Sequence, residues 1–270
     1  MKHATPSKHP TAVSTLTAFL LSLLVFGSVL LIPAFWGSET EPNPMEADGL
    51  PAHVWRIGLF FREDANRLSG MVLLTVDMQM QKLSAVAYPP NTDLGGKTLQ
   101  TYATNDGTAA AFVRLCEEIG TVGDKALTVS VSDLAAFIVH LKERLPLALP
   151  EPMEPLPAGE STLTPMQVAD VLRYREWSDG STVQAQLHAQ VVAALFNRYL
   201  LPDRNLESDF KKLSQLCEEP LSISQYATSR EILEALSHRN EGQLCSAAIA
   251  DGEMVVGQTD TYYRLNKTIP

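Results

Sequence analysis

Apolar positions change their spacing several times along the chain, and each change marks a predicted element. Residues 11–36 (TAVSTLTAFLLSLLVFGSVLLIPAFW) carry no charged side chain. About 20 apolar residues cross a bilayer core, so this run predicts a transmembrane helix with some tilt. Beyond residue 53 the apolar runs shorten. Trp55–Phe61, Met71–Val76 and Leu83–Tyr88 are rich in β-formers and predict strands, with VDMQMQK as the turn between the last two. Ala111, Phe112, Leu115, Cys116 and Ile119 have helical spacing and predict a helix over Thr108–Ile119. A strand over Leu127–Val131 follows. Then comes a helix over Ser132–Leu145, with Ser132 as its cap and Leu134, Phe137, Ile138 and Leu141 as its apolar face. Pro146–Pro157 holds five prolines and predicts an extended surface excursion. Thr164–Arg175 predicts a helix capped by Thr164, with Pro165 at its first position. In Val183–Tyr199, apolar residues recur every four positions (Val183, Leu187, Val191, Leu195, Tyr199), which makes it the clearest helix. Leu206–Leu216 and Ser229–Leu236 predict further helices, and Gln243–Ala250 and Met254–Leu265 closing strands. The order implies an α/β domain: a central mixed sheet flanked by helices on both faces, with the Val183–Tyr199 helix packed along it.

Charge orients the predicted span. Lys2 and Lys8 precede it, whereas Glu39, Glu41, Glu46 and Asp48 follow it. Positive residues stay cytoplasmic, so residues 1–10 form a cytoplasmic tail and the bulk of the chain lies outside the membrane. Residues 37–52 are acidic, carry Pro42, Pro44 and Pro51, and form an extended linker to a domain over 53–270. The competing assignment is a cleaved signal peptide. Its apolar core is normally shorter, and PAFWGSETE lacks a good small-x-small cleavage site. Either assignment exports the domain. The net charge of −10 argues against nucleic-acid binding, which needs basic surface to displace counterions. Cys116, Cys217 and Cys245 form no CxxC pair. They are either three thiols or one thiol and a Cys217–Cys245 bridge.

No Walker loop, GxGxxG, HExxH or GxSxG pattern is present. His140 and His188 fall within predicted helices, where a packed or solvated role is the ordinary one. Arg173 and Arg175 end a helix in VLRYREWSDG. Arginine there offsets the helix dipole, but a guanidinium fork also suits phosphate oxygens. Residues two apart share no helix face. The pair converges on one ligand only if the helix stops there and Arg175 lies on the turn.

The sequence LSGMVLLTVD (Leu68–Asp77), the loop AYPPNT (Ala87–Thr92), the stretch Leu99–Gly120 with Tyr102 and Gly107, VSVSDLAAF (Val129–Phe137), LTPMQVADVLRYRE (Leu163–Glu176), QVVAALFNRYL (Gln190–Leu200) and TDTYYRLN (Thr259–Asn266) follow one another in a familiar order. The series resembles the LytR–CpsA–Psr family of cell-envelope proteins over Arg56–Leu265. That resemblance implies a single-pass protein of the cell membrane in a Gram-positive type of bacterium, with its domain extracytoplasmic. It also implies transfer of glycopolymers from a polyprenyl pyrophosphate carrier to peptidoglycan. In such a site arginines clamp the pyrophosphate, carboxylates hold Mg²⁺, and an apolar slot takes the polyprenyl chain.

Matched residue by residue, Arg173 and Arg175 stand at phosphate-binding positions. Asn91, Thr92, Asp179, Gln184 and His188 are the neighbouring site positions. The departures fall on the chemistry. Gly70 stands where the family has a metal-binding Asp. Pro90 and Asn91 replace Arg and Asp in the AYPPNT loop, where only Pro89 and Thr92 match. Gln184, Leu187 and His188 stand at an Arg, an Arg and a Gln. Asp179 is the remaining candidate for the Asp ahead of that helix. The expectation is therefore no metal site, no assigned catalytic residue and no cofactor. Three readings stay open. The first is an active transferase, with Arg173, Arg175, Asp179 and Asp93 or Asp106 converging on one pocket. The second is a non-catalytic relative that binds a polyprenyl-phosphate lipid or an envelope partner. The third is an unrelated tethered α/β domain.

Overall fold

The computed structural model describes residues 54–266 except 65–66, 78–79, 203, 217–233, 239 and 258–260. The predicted tail, span and linker, the predicted Ser229–Leu236 helix up to residue 233, and Cys217 lie outside the described residues. Among the described residues no helix is long and apolar enough to cross a membrane.

Strands β1 (Val54–Asp64), β2 (Arg67–Asp77) and β3 (Lys82–Tyr88) form an antiparallel meander, turning at the expected VDMQMQK stretch. Strand β4 (Lys125–Ser130) lies parallel to β1, and β7 (Cys245–Ile249) lies parallel to β3. The result is a five-stranded mixed sheet in the order β4-β1-β2-β3-β7. Strand residues alternate between two apolar layers. Trp55, Ile57, Leu59 and Phe61 join the larger core, whereas Phe60, Met71 and Leu73 join the smaller one.

Helices α1 (Leu99–Asn105) and α2 (Thr108–Glu118) cover the smaller core. Gly58 on β1 lets α2 approach, because a Cβ there would lie 2.6 Å from the Phe112 ring. Helices α3 (Val131–Leu141), α4 (Pro165–Arg173) and α5 (Ser181–Tyr199) cover the larger core, so helices flank both faces as expected. Helix α4 opens with the predicted Thr164 cap: its hydroxyl accepts from Gln167 N–H, and the Gln167 side chain returns to the Thr164 backbone. The cap of α3 is Ser130, not Ser132; its Oγ accepts from Asp133 N–H at 3.0 Å. Two serines two residues apart offer the same cap to sequence reasoning, and strand β4 ends early enough to use the first.

The proline-rich stretch corrects a second expectation. It is not a surface excursion throughout. Strand β5 (Leu145–Leu149) pairs with β6 (Gly159–Leu163), and Leu145, Leu147 and Leu149 are buried, as are Met153 and Leu156. This hairpin packs on α5. Helix α5 is therefore buried almost all round, not along one stripe, with Val192, Ala193, Ala194 and Phe196 as covered as Val191 and Leu195. Helix α6 (Leu206–Ser214) is pinned to α3: Asp209 takes His140 Nε2 at 3.1 Å and Arg204 Nε at 3.3 Å. Strands β8 (Gly252–Val256) and β9 (Thr261–Leu265) form a closing hairpin.

Candidate functional site

The predicted site residues gather at one end of the sheet, where β1 turns into β2, β3 runs out and α5 begins. Arg173 closes α4, and its Nη2 donates to Ser132 Oγ at 2.8 Å. Tyr174 leaves the helix with extended backbone, so Arg175 does stand on the following turn. The two arginines nevertheless part company. Arg173 stays exposed at the head of α3, whereas Arg175 turns inward. Its guanidinium forms an ion pair with Glu63, and Nη1 donates to Gln184 Oε1 at 3.3 Å.

From Gln184 a chain of polar contacts runs into the core. Gln184 is buried, and its Nε2 donates to Leu172 O, a carbonyl of the last turn of α4, at 2.8 Å. One turn along α5, His188 is fully buried. Its Nδ1 lies 2.7 Å from Gln184 O, a distance that requires an N–H there. In the neutral ring Nε2 is then an acceptor, and Ser69 Oγ lies 3.0 Å from it. The one Ser69 proton has a second acceptor, Phe61 O at 3.1 Å. Burial pulls the His188 pKa down to about 4. The Gln184 carbonyl opposes that shift and the nearby Arg175 charge adds to it. The imidazole is thus neutral near pH 7, a packed hydrogen-bonding group rather than a cation.

Gly70 explains why the ring fits. A Cβ built on Gly70 would sit 3.3 Å from His188 Nδ1 and 3.4 Å from its Cγ. Any side chain at 70 would project into the imidazole. The position that the family resemblance gives to a metal carboxylate is occupied by the histidine. Asn91 is also engaged: Oδ1 accepts from Ser181 Oγ at 3.0 Å, and Nδ2 donates to Thr261 O at 3.2 Å. Thr92 is buried with its hydroxyl on Pro89 O at 2.7 Å, holding the loop while Tyr263 bonds both Asn91 O and Asp93 N–H through its backbone. Asp179 is exposed on the turn before α5. Asp93 accepts from Gly96 N–H within its own loop, and Asp106 faces Lys97. These carboxylates do not converge with the arginines. Among the described residues no three His, Cys, Asp or Glu side chains cluster. Glu63 is the carboxylate in reach, and it is held by Arg175. The donors present do not fit Mg²⁺, which takes one or two free carboxylates.

Sequence reasoning missed Glu63 and Ser69. The signal for Glu63 was slight: one acidic residue at the end of the apolar strand FFRED. Two further groups lie in the α4–α5 connection and the first turn of α5. Trp177 Nε1 and Thr182 Oγ1 are buried and have no hydrogen-bond partner among the described residues. The cysteines are quiet. Cys116 and Cys245 are free buried thiols, with pKa pushed up to about 11 and about 12 by burial.

Searches by sequence find no matching family model and no matching curated protein. Solved structures do match. A putative transcription regulator from Eubacterium siraeum aligns with a TM-score of 0.68 at 14% identity, over 85% of this chain and 95% of that one. Bacillus subtilis TagV aligns at 0.63 and 15% identity, over 80% and 92%, and TagT at 0.59 and 12%, over 85% and 88%. The fold is the one these proteins share. At such identities the likeness concerns backbone architecture, and the side chains at the site are this chain's own.

Proposed function

We propose that this chain is a single-pass protein of the cell membrane, with its N-terminus cytoplasmic and an extracytoplasmic LytR–CpsA–Psr-like domain. In this proposal the domain holds a polyprenyl-phosphate lipid, or an envelope partner, without transferring glycopolymer from a pyrophosphate carrier to peptidoglycan. The uncharged run 11–36 and the acidic residues after it support the anchor. The fold shared with TagV, TagT and TagU supports the link to the cell envelope.

One observation carries the loss of transfer. His188 fills the space in front of Gly70 while Arg175 is bound to Glu63 and Gln184. Transfer from pyrophosphate needs positive charge aimed at the departing phosphate. Here one guanidinium is neutralised by a carboxylate, and among the described residues no carboxylates cluster as a metal site would need. Retained binding rests on simpler needs. Burying a lipid chain contributes roughly 0.8 kcal/mol per methylene and does not require the clamp. Arg173, exposed at the end of α4 with one nitrogen on Ser132, supplies a guanidinium for one phosphate.

The test uses the full chain extracted in detergent. Native mass spectrometry with polyprenyl monophosphate is expected to show an adduct that weakens in Arg173→Ala. Incubation with a polyprenyl-pyrophosphate-linked glycan and peptidoglycan is expected to show no transfer. Transferred glycan would overturn the loss of catalysis. Bare protein at every lipid concentration would overturn lipid binding and leave partner binding.

A further inference from the structure

Helix α5 carries two side-chain amides seven residues apart, and both do the same work. Gln190 Oε1 accepts from Ala148 N–H at 2.8 Å while its Nε2 donates to Ala148 O at 3.3 Å. Asn197 Oδ1 accepts from Cys245 N–H at 2.7 Å while its Nδ2 donates to Cys245 O at 2.9 Å. An amide that bonds both backbone groups of one residue takes the place of a neighbouring strand at that rung. Gln190 thereby seals the outer edge of β5, where the other outward position is Pro146, which has no N–H. Asn197 seals the first rung of β7.

The rest of the β7 edge is left open. Leu244 O takes Leu83 N–H, and Ala250 N–H reaches Ala87 O, so those residues face β3. Cys245 faces away from β3, toward Asn197. Backbone groups alternate along a strand, so those of Ala247 and Ile249 also point away from β3. Among the described residues no partner meets them on that side. Ser246, Ala247 and Ala248 are exposed, and β7 carries neither a charged residue nor a proline. Sheet edges are ordinarily guarded by such devices, and this one has none.

A cleft of about 490 Å³ lies beside that edge, lined by Ala193, Ala194 and Asn197 of α5, Pro146 of β5 and Ala247 of β7. Arg198 and Glu241 both border the cleft, which suits a segment without net charge. We propose that an extended segment of a partner protein adds to β7 as a sixth strand of the sheet. Its backbone bonds Ala247 and Ile249, and alternate apolar side chains settle over Ala193 and Ala194. This proposal does not rest on the lipid reading, which uses Arg173 at the end of α4.

The experiment uses the full chain in lipid nanodiscs, labelled with ¹⁵N at alanine and isoleucine. The probe is the synthetic peptide Lys-Thr-Val-Thr-Val-Thr-Glu, acetylated and amidated at its ends so that it carries no net charge. Without peptide, the Ala247 and Ile249 amides are expected to exchange freely with solvent. At saturating peptide both are expected to slow by about tenfold or more, equivalent to about 1.4 kcal/mol. Ala193→Trp fills the cleft, and is expected to abolish the slowing while Ala247 still exchanges freely and the Ala87 amide, inside the sheet, stays protected. Three results would overturn the proposal: amides protected before peptide is added, amides unchanged at saturation, or equal slowing in Ala193→Trp.

Discussion

The polar cluster around His188 and the open edge of β7 lie on the same helix, α5, and treat their polar groups in opposite ways. At the Gly70 end, groups that stand at ligand positions by family resemblance bond one another: Arg175 with Glu63 and Gln184, Gln184 with Leu172, His188 with Ser69. At the β7 edge, backbone groups that most folds cover meet no partner among the described residues. A buried polar network holds only while each member keeps its partner, so the first region tolerates little change. The edge is solvated and tolerates much. The hydrogen-bond accounting thus says where this chain has capacity left, which position in a shared fold does not.

The sharpest way to break the contrast is to restore the carboxylate. Gly70→Asp places a charge against the His188 ring, 3.3 Å from a Cβ, in a fully buried setting. The expected cost is about 4 kcal/mol in chemical denaturation, the scale of an uncompensated buried charge. Little or no loss would mean that the imidazole swings away and the mouth is open.

Acid comes next. His188 has a folded pKa of about 4 against 6.5 when unfolded. Between those values the unfolded chain binds the extra proton, so stability falls as pH drops through that window and levels off below it. The expected loss is about 3 kcal/mol. Urea melts at several pH values should show this slope, and His188→Gln should lack it.

Arg175→Ala leaves Glu63, whose side chain is 13% exposed, without its cation. A full buried-pair loss is larger, but Arg175 is a third exposed and solvent takes part of the role, so about 2 kcal/mol is expected. Adding Glu63→Gln should recover part of it, a coupling that a double-mutant cycle reads directly.

How much of this was legible beforehand differs between fold and site. The meander announced itself through three apolar runs and a polar turn, α4 through Thr164 and Pro165, and α5 through its four-residue spacing. Strand β5 was hidden in plain view. Leu145, Leu147 and Leu149 alternate, yet the prolines read as irregular chain. Pro146 is tolerated because it occupies an outward rung where no ladder bond is lost. The sequence shows Arg173 and Arg175 at a helix end but not their divergence, which depends on Glu63 at the end of a distant strand. The Ser69–His188 bond joins residues 119 apart, a contact no local pattern records.

The smallest effect belongs to the edge. Ala247→Lys adds a charge to an exposed position whose backbone faces solvent, and a stability change within about 0.5 kcal/mol is expected. A large loss in thermal melts would show that something already covers β7.

The central claim is that the mouth of the fold has become a closed, neutral, internally bonded cluster. The most direct measurement is the ¹⁵N spectrum of the His188 ring in the full chain at about pH 5, assigned by its loss in His188→Gln and titrated with inorganic pyrophosphate and Mg²⁺. An ordinary histidine is almost wholly protonated at that pH. The account predicts a neutral ring protonated at Nδ1, with shifts that do not move as pyrophosphate is added. An imidazolium spectrum, or a ring that responds to pyrophosphate with saturation, would contradict it.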